Sequence, residues 1–269
     1  MRGDDGHLDA FASWERDAWE ARAVAYGAAL PELTRGAAGA LLNVAGVTAG
    51  ASVLDVATGP GVVARAALDR GARVVAVDQS AAMVGLAGAA GIKVLRSPAG
   101  ALPFPDGRFD AVVAGFLLNH LARPLPVVGE LARVSGGRVA LSVWDVPTAN
   151  PALGLFGPVA ESLGVVGAAP PGPDSALYAD DAHLSALLDA AGLQDVMVVR
   201  VGWGLTVDPG RWFDAVAAGT PRTGAVLAAA TPDERAALRD RYVEVATRAY
   251  GGARGLVTLP AAAVIGSGR

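Results

Sequence analysis

The chain has 269 residues, 52% of them hydrophobic and 18% charged, with 26 acidic side chains against 22 Lys and Arg for a formal charge of −4. Lys93 is the only lysine, and the basic footprint of a nucleic-acid-binding protein is missing. The lack of cysteine excludes disulfides and thiolate metal ligands, and no apolar run reaches the roughly 18 residues of a membrane span. Asp4 and Asp5 stand where a signal peptide would be basic, so a cytoplasmic protein without membrane contact is expected.

Apolar spacing at Phe11, Trp14, Ala18, Trp19, Ala23 and Tyr26 predicts a helix over Leu8–Leu30 that Pro31 stops. A second helix is expected over about Thr34–Ala45. Strand and helix signals then alternate, with strands near 51–57, 72–78, 92–96, 109–115 and 136–144. Helices near 61–70, 80–90 and 124–134 lie between them, the last with Pro124 in its first turn. This alternation predicts a parallel sheet covered on both faces. Beyond Trp144 the prolines at 147, 151 and 158 and the cluster Pro170-Pro171-Gly172-Pro173 predict short helices and loops. Regular order returns with a helix over Asp180–Ala191, which Gly192 ends. Strands follow at Val196–Val201 and Leu256–Ile265. A helical excursion holding Trp212, Phe213 and a helix near Thr231–Tyr250 separates them. No linker divides the chain, so residues 1–269 are read as one domain.

The run Val53-Leu54-Asp55-Val56-Ala57-Thr58-Gly59-Pro60-Gly61 reads as a buried strand that breaks into a glycine turn and opens a helix. Val74-Val75-Ala76-Val77-Asp78 reads as the neighbouring strand with a carboxylate at its carboxyl end. That is the layout of a nucleoside-binding βαβ unit. Gly59-Pro60-Gly61-Val62-Val63-Ala64 also satisfies the loose dinucleotide fingerprint, so a nicotinamide or flavin enzyme competes. Asp55 discriminates. A carboxylate inside an apolar strand is costly unless compensated, and a pyrophosphate at the next turn would add negative charge beside it. S-adenosylmethionine brings an ammonium and a sulfonium instead.

The segments VLDVATGPG, AVDQSAAMV and ALPFPDGRFDAVVAGFLLNHL resemble three consecutive signatures of class I S-adenosylmethionine-dependent methyltransferases. The likeness is to the small-molecule kind related to the ubiquinone and menaquinone enzymes. It covers Thr34 to Trp144 well and continues more loosely to the C-terminus. It implies a Rossmann-like α/β fold with a seven-stranded, mostly parallel sheet in the order 3-2-1-4-5-7-6. Helices are expected on both faces, residues 1–48 as a helical lid, and segments 146–178 and 203–252 as a cap. S-adenosyl-L-methionine is the implied cofactor and S-adenosylhomocysteine the product.

Ligands of open α/β sheets bind beyond the carboxyl ends of the strands, which places Asp55, Ala57, Gly59 and Gly61 at the site. Asp78 reads either as the cap of the next helix or as a bidentate acceptor for the ribose hydroxyls. From the resemblance, Gln79 and Met83 contact adenine, and Tyr26 and Thr34 touch the methionine part. Ser97–Phe104 forms the adenine loop. Relatives carry an acid at the position of Pro98, so adenine recognition falls here to the backbone of Ala99 and Gly100, and cofactor binding is expected to be weakened or altered. Phe116 to His120 passes beneath the transferable methyl. His120, where relatives often have paired histidines, is the candidate general base; it reads equally as a packing residue. Asp145 is a candidate for orienting the acceptor. Trp144, Phe156, Tyr178, Trp212 and Phe213 are candidates for an apolar acceptor pocket, and the dispersed histidines offer no metal site.

Methyl transfer to a small apolar, natural-product-like molecule is the leading expectation, to oxygen first and to carbon or nitrogen after it. A cofactor-retaining enzyme of secondary metabolism with a non-methylating step such as a cyclisation stands second, and a nicotinamide-dependent oxidoreductase third. A small-molecule substrate is the expected partner, with a homodimer as the assembly to consider.

Overall fold

The computed structural model describes residues 5–165, 170, 172–174 and 176–269. Helix α1 (Asp5–Val44) is followed by β1 (Ser52–Val56), α2 (Val62–Asp69), β2 (Arg73–Asp78), α3 (Ala81–Ala89), β3 (Val94–Arg96) and β4 (Phe109–Gly115). Then come α4 (Pro124–Val134), β5 (Ser135–Trp144), the short helices α5 (Pro151–Gly154) and α6 (Phe156–Ser162), and α7 (Asp181–Ala190). The chain ends with β6 (Met197–Val207), α8 (Pro209–Gly219), α9 (Pro221–Ala229), α10 (Pro232–Tyr250) and β7 (Val257–Gly268). The strands form one seven-stranded sheet in the order β3-β2-β1-β4-β5-β7-β6, as the resemblance implied.

Strands β1 to β5 pair in parallel, with Asp55 opposite Ala76 of β2 and Val113 of β4. β7 runs antiparallel between β5 and β6. All five residues of β1 are buried, the signature of a strand covered on both sides. Alternation sends Leu54 and Val56 to the face that packs on Val128 and Leu131 of α4 and Leu184 and Leu188 of α7. Val53 goes to the other face, against Leu41 of α1, Ala64 of α2 and Ala87 of α3. Asp55 shares the face of Val53, and alternation alone therefore brings its carboxylate under the first turn of α2.

Three expectations are corrected. Pro31 does not stop the first helix, and α1 runs on to Val44 with the proline inside it. An interior proline costs about 3 kcal/mol. Leu30, Leu33, Leu41 and Leu42, around and beyond it, are each at most 2% exposed, and burying a leucine side chain contributes roughly 1.5–3 kcal/mol. Packing therefore outweighs the break. β6 extends beyond Val201 to Val207 because β7 offers it a ladder down to Val207–Val257, so residues 203–207 belong to the sheet and not to the cap. The excursion between β6 and β7 contains three helices, α8, α9 and α10, where two were expected. Short helices follow β5 as expected, although Pro171 of the proline cluster lies outside the described residues.

Gly61 caps α2 in the left-handed region at φ +93, and a Cβ there would stand 2.0 Å from Ile92 Cδ1. Gly61→Ala is expected to lower unfolding free energy by about 1–2 kcal/mol, read by urea denaturation, because alanine disfavours positive φ.

Candidate active site

At the carboxyl edge of β1, β2, β4 and β5 lies a cavity of about 530 Å³. One end is built from the turns after β1 and β2, the other from α1, the end of β5 and the start of α9. Ala57 and Phe116, the residues just past β1 and β4, both take positive φ, at 56° and 59°. For a bulky residue such as Phe116 that conformation costs on the order of 1–3 kcal/mol and persists only where neighbours over-determine it. Here the Phe116 N–H donates to the Ser142 carbonyl at 2.9 Å. Its ring stacks on Trp144 with centroids 3.7 Å apart.

Asp55 is 1% exposed. Its Oδ2 accepts from the Thr58 hydroxyl at 2.6 Å and from the Ala64 N–H, in the first turn of α2, at 2.9 Å. Its Oδ1 is buried with no hydrogen-bond partner. Burial, opposed only in part by those two bonds, pushes the Asp55 carboxyl up to about 7. Asp78 Oδ2 accepts from the Gly59 N–H at 2.8 Å and Oδ1 from the Ser80 N–H at 2.9 Å, which ties the glycine turn to the end of β2. Burial also raises the Asp78 carboxyl. The cap of α3 is Ser80, whose hydroxyl accepts from the Met83 N–H at 3.1 Å, so Asp78 is not the helix cap. Each Asp78 oxygen holds one N–H and keeps a lone pair for a ligand.

Gly59 sits at φ +55 with open space where a Cβ would stand, so a ligand can approach its backbone closely. Gln79, Met83, Ala99 and Gly100 complete this end of the wall, together with Pro98. Tyr26 and Thr34 of α1 join it, and burial pushes the Tyr26 phenol up to about 12, so it remains a donor. At the other end, Glu15 and Trp19 of α1 meet His120, which follows β4 in a short 3-10 turn. His120 Nδ1 lies 3.1 Å from Glu15 Oε2, and the Trp19 indole N–H donates to the same oxygen at 2.8 Å.

The family described as Methyltransferase domain matches residues 54–141. A demethylmenaquinone methyltransferase of Renibacterium salmoninarum is 36% identical over 115 residues, which are 41% of this chain and 48% of that protein. One of Mycolicibacterium vanbaalenii is 32% identical over 160 residues, covering 54% of this chain and 68% of the relative. The chain belongs to the class I S-adenosylmethionine-dependent methyltransferases of the quinone methyltransferase type. Several other curated relatives are matched over about half of their own length. Among solved structures, the YcgJ protein of Bacillus subtilis aligns with a TM-score of 0.56 and 18% identity, over 86% of this chain and 97% of that one, a likeness of fold.

The cavity wall of this family member gathers Tyr26, Thr34, Asp55, Ala57, Gly59, Asp78, Gln79, Met83, Ala99, Gly100, Phe116 and His120. Gly61 stands outside it, behind the turn and against Ala87 of α3 and Ile92. Of the aromatic residues expected around an acceptor, only Trp144 reaches the wall. Phe156, Trp212 and Phe213 fill the core between α6, α8 and α10, with the Trp212 indole bonded to the Ala152 carbonyl at 2.7 Å. Tyr178 packs against the core beneath α7. Asp145 lines the cavity, yet its Oδ2 is drawn to Arg200 Nε at 3.3 Å and its Oδ1 accepts from the Val146 N–H. That engagement makes it a brace between β5 and β6.

Sequence reasoning missed Glu15, Asn150 and Arg222. Glu15 lay on an expected helix, but its partner is 105 residues away. Asn150 closes the wall just before α5 and keeps a buried Oδ1 without a partner. Arg222 sits in the first turn of α9, which carries no strong apolar period.

Proposed function

We propose that this chain transfers the methyl group of S-adenosylmethionine to an oxygen of a small, largely apolar, hydroxylated acceptor. The observation that carries the reading is the buried, unpartnered Oδ1 of Asp55 in the cavity wall beside a half-satisfied Asp78. A lone anion there matches a ligand that is cationic at one end, and Asp78 matches a vicinal diol a few ångströms along the edge. Tyr26 and Thr34 would hold the methionine part, Asp78 the ribose, Gln79 and Met83 the adenine, and the backbone of Ala99 and Gly100 the adenine edge that Pro98 cannot serve. When bound, the cofactor supplies an electrophilic sulfonium methyl group. The residues of the chain then act by alignment and by exclusion of water. Helix α1 covers the cavity as a lid over both ends, with α5, α6 and α8 to α10 as the cap of a single methyltransferase-fold unit.

Among the described residues, no helix is long and apolar enough to cross a membrane. The acceptor end is walled by Trp19, Leu121, Trp144, Pro147 and Leu153, which supports a flat apolar ring. His120 takes the hydroxyl proton. Hydroxylated naphthalenes stand first among acceptors to try, because the curated relatives act on demethylmenaquinone. A nicotinamide reaction is set aside, since the chain belongs to a methyltransferase family and a pyrophosphate would sit against the Asp55 oxygen.

The test is incubation with S-adenosylmethionine and a panel of phenols, naphthols and polyketide-like alcohols, with S-adenosylhomocysteine as the readout. Stoichiometric S-adenosylhomocysteine and methyl ether are expected. Turnover of an acceptor without S-adenosylhomocysteine would instead assign a cyclisation or another non-methylating step. His120→Ala is expected to lower kcat about 10–100-fold with little change in KM, at the low end for a general base because alignment supplies much of the rate.

A further inference from the structure

The carboxylate of Glu15 is a buried group that lies outside the cofactor end of the cavity. Its side chain is 3% exposed, and it meets His120 across the cavity from a different element of the fold. Glu15 Oε2 receives the Trp19 indole N–H at 2.8 Å and stands 3.1 Å from His120 Nδ1. A carboxylate offers only acceptors, so this contact requires the imidazole proton to be on Nδ1. In the neutral ring the other nitrogen, Nε2, is then a bare lone pair. The Trp19 ring stands edge-on to the imidazole, with centroids 4.9 Å apart and planes at 82°, and restricts its rotation. Glu15 Oε1 has no hydrogen-bond partner, and Arg222 Nε approaches it at 4.0 Å. Desolvating a carboxylate this fully is costly, and the indole, the imidazole and the guanidinium are the groups that offset it.

We propose that Glu15 is the positioning residue of this site, holding His120 as the Nδ1–H tautomer so that Nε2 accepts the proton of the acceptor hydroxyl. The proposal rests on the methyl-transfer reading above. As the acceptor oxygen loses its hydrogen, the proton passes to Nε2 and the ring becomes an imidazolium whose charge the Glu15 carboxylate balances. The base is therefore complete only when α1 lies across the strand ends, because one half of the pair comes from α1 and the other from the turn after β4.

The test needs no acceptor. Protein labelled with 15N in its histidine rings carries three such residues, and His120→Asn assigns the signal of interest. At about pH 8.5, well above the ordinary histidine titration, wild-type His120 is expected to show a protonated Nδ1 and a bare Nε2. Glu15→Ala should shift the ring toward the Nε2–H form, and Glu15→Gln, which preserves size, keeps the test valid if the alanine variant fails to fold. A wild-type ring protonated on Nε2, or an Nδ1–H ring unchanged in a folded Glu15 variant, overturns the proposal. S-adenosylhomocysteine titrated calorimetrically into the same samples reports on the parent reading separately. Affinity within about threefold of wild type is expected for the Glu15 variants, since neither partner of the pair belongs to the cofactor end. Failure of wild type to bind it would overturn methyl transfer and with it the role assigned to the pair, even where the tautomer is as expected.

Discussion

Between the unfolded carboxylate value of 3.8 and the folded Asp55 value of about 7, the ligand-free protein is expected to lose about 4 kcal/mol of stability as pH rises. Across that interval the folded chain keeps a proton on Asp55 that the unfolded chain has released. The folded state binds more protons, so its advantage is full below 3.8 and gone above about 7. Asp55→Asn removes the titration while keeping the shape and the bonds from Thr58 and Ala64. Urea denaturation of the two proteins at about pH 5 and about pH 8 reads the difference, with Asp55→Asn the more stable at the higher pH. S-adenosylmethionine should reverse the trend in the wild type, because a cation beside the unpartnered Oδ1 favours the ionised form. Its affinity should rise with pH in that range, and that of S-adenosylhomocysteine, which keeps the ammonium and lacks the sulfonium, should rise less steeply. Parallel pH curves for wild type and Asp55→Asn would overturn the assignment of Asp55 to the cationic end.

Asp78→Ala is expected to weaken S-adenosylhomocysteine binding about 100-fold, close to 3 kcal/mol, the worth of two charge-assisted hydrogen bonds to a ribose. The substitution also releases the Gly59 and Ser80 N–H groups that Asp78 now holds at 2.8 and 2.9 Å. A circular-dichroism melt therefore accompanies the titration, and Asp78→Asn, which retains an acceptor oxygen, should lie between. Affinity for S-adenosylhomocysteine within threefold of wild type in a folded Asp78→Ala protein sinks the ribose role. Asp78 and Asp55 stand on neighbouring strands and the Asp78 charge adds to the rise at Asp55, so the double variant is not expected to be additive.

Much of this was legible in the chain. The apolar runs of β1, β2, β4 and β5 are long enough to declare buried parallel strands, and Asp55 stands out because a carboxylate inside such a run demands a reason. Period-two alternation then fixes which face it occupies, and the glycine turn follows at the carboxyl end. Pro31 does not break α1 because local propensity is a weak prior against the burial of an entire helix face. That the aromatic residues of α6 and α8 pack into the core and not around the cavity is not legible in the chain, because composition shows that a residue is apolar without showing which apolar surface it faces. Trp144 reaches the cavity and Trp212 does not, and nothing in the residues themselves separates the two.

The end of the cavity proposed for the cofactor is thus a consequence of local order, since a strand, a turn and the next strand suffice to bring Asp55, Gly59 and Asp78 together. The end proposed for the acceptor is of a different kind. Glu15, His120, Trp144 and Arg222 come from α1, the turn after β4, the end of β5 and α9, and they become neighbours only when the helices close over the sheet. Contacts within a βαβ unit are set by spacing along the chain. A contact spanning 105 residues is set by packing, which is why the meeting of Asp55, Gly59 and Asp78 could be read from the sequence and the Glu15–His120 pair required the folded molecule.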